Sequence, residues 1–359
     1  MDKIIFVKPA NSTFIKADQK ILESHFVVVP YLLKIQTNPF SFILALTKLF
    51  FYLLFNVRKS KAVVTWFADY HAFVIALVCK ITGTKFVIFA GGQEAICYPE
   101  LHKGVYYKKF RGSCVKYALK NASLIIPNHQ SLVYHENYYY SDSGKKDGMK
   151  YYIPELKTRM AVIPNGYDIE KFKRDYAIAK VQNMVLTIGK TNTLPDILNK
   201  GFDVFTEVAM RNPQLQFVII AIKKEHIEWM ENKYHVSQIP NLKLIPYLCP
   251  FETLSLYFNQ AKVFVQASIT EGMPNTLGEA MLFECVPVGS SVNGIPDTIG
   301  DTGVIVQKRN VEELENAILK ALTLDTGKKA REHIIANFTM EKREQKIIEA
   351  LRECGILIK

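Results

Sequence analysis

Short apolar runs alternate with longer stretches of helical period along almost the whole chain. The runs are rich in Val and Ile, which is typical of strands buried on both faces of a parallel sheet. Strands are predicted at 4–7, 26–29, 62–66, 85–89, 124–127 and 160–163, and then at 185–189, 216–222, 242–246, 263–266, 286–290 and 304–306. Helices between such strands cover the sheet, so the pattern predicts a doubly wound α/β fold.

The runs form two sets of six, and a chain of 359 residues is too long for one hydrophobic core. The sets separate near Asn165 and the charged stretch 170–175. We therefore expect two facing Rossmann-like domains, 1–168 and 169–338, with a cleft between them and ligands at the carboxyl ends of the strands. A helix is predicted at 340–353, and the segment 339–359 is expected to cross back to the first domain.

Composition favours a soluble enzyme, since hydrophobic residues make up 49% of the chain and charged residues 22%. Six scattered cysteines with no C-x-x-C pair argue against a zinc site or a disulfide framework and suit a reducing compartment. Only four apolar residues follow the first three positions, too few for the core of a signal peptide, so a cytoplasmic location is expected.

The positive charge is concentrated in the first half of the chain. Residues 1–150 hold 20 Lys and Arg against 9 Asp and Glu, whereas residues 201–359 carry a net charge of −3. Such a one-sided field attracts anionic partners, such as lipid headgroups, sugar phosphates or nucleic acid.

Residues 104–120 interleave aromatic and basic side chains. This pattern suits a bilayer interface, single-stranded nucleic acid or an ordinary amphipathic helix with a solvated basic face. No nucleic-acid-binding signature accompanies it, so lipid ranks above nucleic acid. The expected membrane-facing cations are Lys108, Lys109, Arg111, Lys116 and Lys120.

Residues 40–55 form the most apolar stretch, interrupted by Lys48. The stretch is short for a transmembrane helix, and its charge is central. Three interpretations stay open: a helix covering the first sheet, a helix partly exposed to the bilayer interface, and a membrane span.

The most informative segment is 263–281, V-F-V-Q-A-S-I-T-E-G-M-P-N-T-L-G-E-A-M. A buried strand is predicted to end near Gln266 and a helix to begin around Pro274, since proline suits the first helical turn. The following amides, of Asn275, Thr276 and Leu277, form a diphosphate site supported by the helix dipole. Gly272 lets the backbone approach a ligand closely.

Two carboxylates frame this helix start. Glu271 lies on the loop and Glu279 about one turn into the helix, so both can reach one extended ligand at different points. Like charges repel, which makes them poor phosphate ligands. They are good acceptors for the vicinal hydroxyls of a sugar and a ribose.

With the framing S-x-x-E-G-M-P-N and E-A-M, these glutamates resemble the E-x7-E motif of the retaining glycosyltransferases of family 4, which adopt the GT-B fold. Further stretches are similar to the same family: V-I-P-N-G-Y-D at 162–168, G-K at 189–190, N-K-G-F-D at 199–203, and C-V-P-V-G-S-S-V-N-G-I-P-D-T-I-G-D-T-G at 285–303.

The resemblance implies a role for each matching residue. Glu271, Lys190 and Lys200 are the implied catalytic residues, in which Glu271 holds donor-sugar hydroxyls and the lysines neutralise the leaving diphosphate. The implied donor-binding residues are Glu279 for the ribose and Tyr247 for the nucleobase, together with Gly272, Asn275, Thr276 and Leu277.

The front half resembles the family more loosely. K-P-A-N-S-T at 8–13 stands where many members have a Gly-Gly loop. The segment 91–104 is similar to a subgroup with G-G-Y-D and P-E-x-x-Y-G patterns, and it offers Gly91, Gly92, Glu94 and Glu100 as acceptor-side residues. The alternative is a structural turn with solvent-facing acids.

The expected activity is retaining transfer of a sugar from a nucleoside-diphosphate sugar to a hydroxyl of a lipid-linked or polysaccharide acceptor, in glycan synthesis of the cell-envelope or exopolysaccharide type. No cofactor and no metal are expected, because the chain has no D-x-D motif or metal-ligand cluster. A peripheral position on the inner face of an anionic membrane is expected, without nucleic acid. The alternatives are a sugar-nucleotide epimerase or phosphorylase on the same fold, and a catalytically silent membrane-surface binding protein.

Overall fold

The computed structural model describes residues 1–33, 38–246 and 250–357, which group into two compact units. The first unit comprises Met1–His135, Lys146–Asn165 and Glu341–Lys359. The second unit comprises Glu136–Lys145 and Gly166–Met340. The segment after 340 thus belongs with the first unit, and a short piece around residue 140 belongs with the second.

The first unit is built on a parallel sheet in the order β2-β1-β3-β4-β7. Its elements, with β8 and β9 each divided between the two units, are β1 (Lys3–Lys8), α1 (Thr13–Glu23), β2 (Val27–Leu32), α2 (Pro39–Asn56), β3 (Ala62–Trp66), α3 (Tyr70–Thr82), β4 (Lys85–Ala90), β5 (Cys97–Tyr98), β6 (Lys103–Gly104), α4 (Lys109–Asn121), β7 (Leu124–Pro127), β8 (His135–Asn137), β9 (Lys145–Asp147) and α5 (Met149–Tyr152). The central strands β1, β3 and β4 are almost wholly buried, as their continuous apolar sequences require.

The second unit is built on a parallel sheet in the order β12-β11-β10-β13-β14-β15. Its further elements are β10 (Val181–Ile188), α6 (Asp196–Asn199), α7 (Phe202–Arg211), β11 (Gln216–Ile222), α8 (Lys224–Tyr234), β12 (Leu242–Pro246), α9 (Phe251–Gln260), β13 (Ala261–Gln266), α10 (Asn275–Leu282), β14 (Val286–Ser290), α11 (Ile295–Ile299), β15 (Val304–Val306), α12 (Val311–Thr323) and α13 (Gly327–Asn337). The last helix, α14 (Met340–Glu353), follows.

Helix α14 is held in the first unit by a buried ion pair. Arg343 donates through Nε and Nη2 to the two carboxylate oxygens of Asp18, both at 2.7 Å. The Asp18 carboxylate also accepts a hydrogen bond from Trp66 Nε1 at 2.9 Å. Arg343 Nη1 donates to the carbonyls of Ile163 and Pro164. A buried charge without such partners would be costly, so this set fixes the helix in place.

Eleven of the twelve predicted strands are present, several with identical bounds. The exception is 160–163, which forms only a single bridge, between Met160 and Ile125. The neighbouring pair would need an amide hydrogen from residue 127, which is proline and has none. The predicted strand is therefore wrong, although Ile163 still donates from its amide to the Pro127 carbonyl at 2.9 Å.

Helix α2 occupies the apolar stretch between the second and third strands. Within the described residues, 39–59 is the one segment long and apolar enough to cross a membrane, and only 17% of its apolar window is buried. Length and composition alone are weak evidence for a span.

Candidate functional site

In the second unit, the strand order reverses direction between β10 and β13. In chain order the six strands run 3-2-1-4-5-6, the doubly wound arrangement whose ligands bind at the carboxyl ends of the first and fourth strands. β10 leads into Gly189 and Lys190, and β13 leads into the loop that carries Glu271. The fold thus brings two separated motifs to one sheet edge.

Gly189 brings the two candidate lysines together. A Cβ on Gly189 would lie 3.0 Å from Cγ and Cδ of Lys200, so the stem of Lys200 runs directly across this glycine. Lys190 is the next residue, and it is exposed. Lys190 and the stem of Lys200 therefore both lie at the carboxyl end of β10.

Lys200 and Glu271 form an ion pair, with Nζ 2.6 Å from Oε2. Both side chains are about one-fifth exposed, so the pair is reachable from solvent but partly shielded from it. Ser268 Oγ lies 3.4 Å from the same Glu271 oxygen. Two residues that the sequence separates by 71 positions thus form one charged pair.

The two segments that carry this pair are joined through their backbones. The Asn199 carbonyl accepts from the Ile269 amide at 2.8 Å, and Asn199 Nδ2 donates to the Thr270 carbonyl at 3.4 Å. Gly201 adopts φ +70°, and a Cβ there would lie 2.4 Å from the Ala267 carbonyl oxygen. The loop after β13 is therefore fastened to the α6–α7 junction on both sides of Lys200.

Asn293 is a functional residue that the sequence interpretation missed. Its Oδ1 accepts from the Glu271 amide at 3.0 Å and from Thr270 Oγ1 at 3.4 Å. The next residue, Gly294, donates from its amide to the Gly272 carbonyl at 2.9 Å. The sequence feature that could have indicated this role is the Asn-Gly pair a few residues after β14. These two residues hold the loop that carries Glu271 in place.

Helix α10 begins at Asn275, as predicted, and its N-terminus is fixed by Tyr167. The Tyr167 hydroxyl donates to the Pro274 carbonyl at 3.1 Å, and a Cβ on Gly278 would lie 2.2 Å from its ring. Thr276 Oγ1 donates to Gln266 Oε1 at 3.2 Å, which ties the first turn to the end of β13. Asn275, Thr276 and Leu277 therefore occupy a rigid helix start, where amides of the first turn favour an anion.

Glu279 lies in the second turn of α10 and is only partly accessible to solvent. Desolvation raises the pKa of its carboxyl to about 7, and the positive charge of Lys171 offsets part of that rise. Glu271 and Glu279 thus have different electrostatic surroundings, one paired with a lysine and one poorly hydrated. Tyr247, the expected nucleobase neighbour, lies outside the described residues.

The first unit has a cavity of about 300 Å³ at its own point of strand reversal, between β1 and β3. Its walls come from residues after β1, β2, β3 and β4 and from α2, and most of the lining is apolar. Its lining residues include Pro9, Phe42, Asp69, Tyr70, His71 and Arg111. Sequence analysis did not find this cavity, because its walls come from segments far apart in the chain.

One charged pair lies in the cavity wall. Arg111 donates through Nε and Nη2 to the Asp69 carboxylate, at 3.0 and 2.6 Å. His71 is buried beside it, with Nε2 3.1 Å from Thr65 Oγ1, and burial lowers the pKa of its imidazole. A neutral histidine and a compensated ion pair leave this cavity without a strong net charge.

The two acidic residues that the sequence suggested for the acceptor side, Glu94 and Glu100, lie in different environments. Glu94 is fully buried, and its Oε1 accepts from the Gly91 amide at 2.8 Å, while Oε2 finds no hydrogen-bond partner among the described residues. Burial raises the pKa of Glu94 to about 7. Glu100 is exposed on a short turn and does not line the cavity. The alternative of solvent-facing acids is therefore wrong for Glu94 and holds for Glu100.

The backbone around Gly91 and Gly92 is tightly placed. A Cβ on Gly91 would lie 2.6 Å from the Phe67 ring, so only glycine fits between that ring and the end of β4. Gly92 adopts φ 142°. These glycines hold the turn that buries Glu94 close to the cavity-lining Gln93. Across residues 1–33, 38–246 and 250–357, no group of three or more His, Cys, Asp or Glu side chains is arranged to hold a metal ion.

Residues 182–324 match the family model of the glycosyl transferases, group 1. This match contains β10 through α12, including the Lys200–Glu271 pair and α10. The match therefore lies within the second unit and includes its candidate site.

The chain is also similar to two curated relatives and to a solved structure. The chain is 22% identical to Protein CapJ of Staphylococcus aureus over 273 residues, which is 73% of this chain and 63% of CapJ. It is 23% identical to a phosphatidylinositol N-acetylglucosaminyltransferase component of Arabidopsis thaliana over 170 residues, 46% of this chain and 37% of that protein. The chain thus spans less than two thirds of each of these relatives.

The solved structure is that of HepE from Anabaena, in complex with UDP and glucose. It superposes with a TM-score of 0.71 at 15% identity, over 98% of this chain and 100% of HepE. The fold is therefore GT-B, with two Rossmann-like parallel-sheet domains, as the sequence predicted.

Proposed function

We propose that this protein transfers a sugar from a nucleoside-diphosphate sugar to a hydroxyl group of a lipid-linked or polysaccharide acceptor, with retention at the anomeric carbon. The observation that carries the proposal is the Lys200–Glu271 pair at 2.6 Å, held at the β10–β13 switch point beside the start of α10. Cations and a helix N-terminus suit a diphosphate, and a carboxylate beside them suits sugar hydroxyls.

In the proposed reaction the bond between the anomeric carbon and the diphosphate oxygen breaks, and the acceptor oxygen bonds to that carbon. The electron pair of the broken bond leaves with the nucleoside diphosphate, and the acceptor hydroxyl passes its proton to the departing diphosphate oxygen. Lys190, Lys200 and the α10 amides stabilise the departing charge electrostatically. Glu271 holds the donor-sugar hydroxyls and Glu279 those of the ribose, so that the reacting carbon is positioned for attack.

The ion pair suggests what changes when a donor binds. Lys200 is paired with Glu271, and a diphosphate would compete for the same ammonium group. The Glu271 carboxylate would then be available to accept hydrogen bonds from the sugar. One contact would thus be exchanged for two, which couples recognition of the diphosphate to recognition of the sugar.

The relatives support this reaction class and a lipid acceptor. HepE was determined with UDP and glucose, and the Arabidopsis relative is named for transfer of N-acetylglucosamine to phosphatidylinositol. In this chain the acceptor would enter the cavity between β1 and β3, and the buried Glu94 would hold the Gly91 turn beside the cavity-lining Gln93. The protein would work at the inner face of the membrane in glycan synthesis of the cell-envelope or exopolysaccharide type.

The test is product analysis with a panel of UDP- and GDP-sugars and with lipid-linked and soluble glycan acceptors. Transfer with retained anomeric configuration is expected, and activity should survive EDTA because lysines and amides carry the leaving-group charge. Interconversion of the nucleotide sugar without transfer would instead indicate an epimerase. Sugar phosphate formed from glycan and inorganic phosphate would indicate a phosphorylase, and nucleotide binding without any turnover a silent binding protein. Loss of activity in EDTA, restored by Mn²⁺ or Mg²⁺, would contradict the metal-independent mechanism.

A further inference from the structure

Helix α2 turns an apolar stripe outward from the first unit. The exposed apolar side chains are Phe40, Ile43, Leu44, Phe51 and Phe55, of which Phe40 and Phe55 are each 76% exposed. At 100° per residue these positions lie within about one third of the helix circumference. Thr47 shares the stripe, but its hydroxyl donates to the Ile43 carbonyl at 3.0 Å and is thereby satisfied within the helix.

The opposite stripe of α2 is fixed to the protein. Leu49, Leu53 and Val57, spaced four residues apart, are fully buried where α2 packs against α3. A helix that buries one stripe in its own domain cannot surround itself with lipid. Of the three interpretations that the sequence left open, the packed stripe argues against a membrane span. The exposed apolar stripe favours a helix lying in the plane of a bilayer interface over one that only covers the sheet.

Charges around the stripe match an anionic surface. Residues 24–68 contain five Lys and Arg and no Asp or Glu. Lys48, Arg58 and Lys59 are exposed, with Lys48 at one margin of the stripe and Arg58 and Lys59 just beyond the end of α2. Cations beside exposed aromatic rings are the arrangement that interfacial helices use against anionic lipids.

A second element extends the same surface. Phe42 of α2 lies 5.6 Å from Tyr70, and Tyr70 lies 6.0 Å from Phe110 of α4, measured between ring centroids. Phe110 is 74% exposed and is adjacent to Lys109. Arg111 and Lys120, also expected to face the membrane, instead pair with Asp69 and Glu155. The apolar stripe of α2 and Phe110 thus form the better candidate contact.

We infer that the first unit docks on an anionic bilayer by laying the exposed stripe of α2, with Phe110, into the headgroup boundary. This deepens the proposed function, because Phe42 and Tyr70 also line the cavity between β1 and β3. A lipid-linked acceptor could pass from the bilayer along these rings into the cavity without exposing its apolar part to water. The partner is the lipid surface, and the docking does not depend on the donor site.

Co-sedimentation with vesicles tests the contact. The wild-type protein should bind vesicles that contain phosphatidylglycerol, and the double variant Phe51→Ser/Phe55→Ser should lose about tenfold in partitioning, because two exposed rings no longer insert. Ile81→Ser is the matched control, since Ile81 is a 68% exposed apolar residue on α3 of the same unit. The control should bind like the wild type.

Charge and depth are tested separately. Arg58→Gln/Lys59→Gln should reduce the preference for phosphatidylglycerol over phosphatidylcholine severalfold, whereas Lys328→Gln/Lys329→Gln, an exposed pair on the second unit, should not. Phe51→Trp should be quenched most strongly by lipids brominated near the headgroup. Strongest quenching by bromines near the bilayer centre would mean a span and would overturn the interfacial placement.

UDP binding, measured by calorimetry on every variant, separates this inference from the proposed function. Normal UDP affinity without vesicle binding at low salt would overturn the docking and leave the transferase proposal standing. Vesicle binding without affinity for either UDP or GDP would do the reverse. A wild-type dimer that the Phe51→Ser/Phe55→Ser variant converts to a monomer would mean that a second copy covers the stripe, and the bilayer assignment would fall.

Discussion

The two units solve the same folding problem and then build different sites at the same position. Each has a parallel sheet whose strand order reverses once, and each has its candidate site at that reversal. In the second unit this point is polar, with a lysine–glutamate pair and backbone hydrogen bonds between loops. In the first unit this point is a mostly apolar cavity, and the charges of Arg111 and Asp69 in its wall neutralise each other.

The difference indicates how strongly each proposed ligand constrains the sequence of the unit that binds it. A nucleoside diphosphate always offers two phosphates and a ribose, so cations, amides and a carboxylate must occupy fixed places around it. An acceptor with a large apolar part needs mainly apolar contact area of complementary shape, which many different side chains can provide. If the proposed function holds, this explains why the candidate donor residues occur in recognisable motifs, whereas the residues lining the first cavity do not.

The largest expected effect concerns stability. Two arginine–aspartate pairs allow the comparison. In the first unit Arg343 donates through two nitrogens to Asp18, and in the second unit Nη2 of Arg309 lies 2.7 and 2.6 Å from the two oxygens of Asp203. The Arg343–Asp18 pair is the more deeply buried. Arg343→Ala should destabilise its unit by about 3–5 kcal/mol, because Asp18 is left buried and unpaired. Arg309→Ala should cost about 1.5–3 kcal/mol, since its partner is nearer to water.

Urea unfolding can follow the units separately, since the chain has two tryptophans, Trp66 in the first unit and Trp229 in the second. A Trp229→Phe background leaves Trp66 to report on the first unit. In that background Arg343→Ala should shift the transition and Arg309→Ala should not. Equal shifts from both would show that the two units unfold as one.

The next effect is on transfer. Glu271→Ala should lower kcat/KM by about a hundredfold or more, comparable to the loss of one stabilising group in other preorganised sites. Glu271→Gln should keep UDP affinity at or above the wild-type value, because the charge of Lys200 is no longer compensated. Circular dichroism should be unchanged in both. Turnover near the wild-type rate in Glu271→Ala would remove this residue from the site.

The lysines should matter for the nucleotide. A charge-assisted contact contributes about 1.5–3 kcal/mol, so Lys190→Ala or Lys200→Ala should weaken UDP binding about ten- to a hundredfold. Lys224→Ala, an exposed lysine on α8, is the control and should bind UDP normally. Calorimetry that finds equal UDP affinity in the wild type and all three variants would contradict the diphosphate assignment.

The smallest effect is a pH dependence of UDP binding, which arises in the second unit. The pKa of Glu279 is about 7, so the carboxylate that would accept two ribose hydroxyls is mostly protonated below that value. UDP affinity should therefore fall about tenfold between pH 8 and pH 6, in proportion to the ionised fraction. Glu279→Gln should flatten this part of the profile. An unchanged profile in that variant would place the titrating group elsewhere.

Sequence reasoning succeeded where local pattern decides structure. The start of α10 follows from Pro274, whose missing amide hydrogen suits a first turn, and the strand 216–222 follows from an unbroken apolar run. It failed at 160–163, where the run was apolar but its partner strand ended in a proline. The residues 160–163 have the apolar pattern of a strand, but Pro127 has no amide hydrogen to donate to them.

Long-range contacts account for what sequence reasoning missed. The motif assigned Glu271 and Lys200 separate roles, but nothing in it shows that they form an ion pair. Asn293 acts through the backbone of a neighbouring loop, and the burial of Glu94 depends on the turn that Gly91 allows beside Phe67. Each depends on which segments the sheet order places side by side.

The backbone link between residues 199–201 and 267–270 has a consequence for engineering. A designer who wants another donor sugar would naturally transplant the loop around Glu271 from a related enzyme. A Cβ on Gly201 would lie 2.4 Å from the Ala267 carbonyl oxygen of that loop, and the loop is hydrogen-bonded to Asn199. The loop and the segment around Lys200 are therefore packed together as one structural unit. The unit of exchange is therefore both segments together, and a graft of either one alone would carry its side chains to the wrong place.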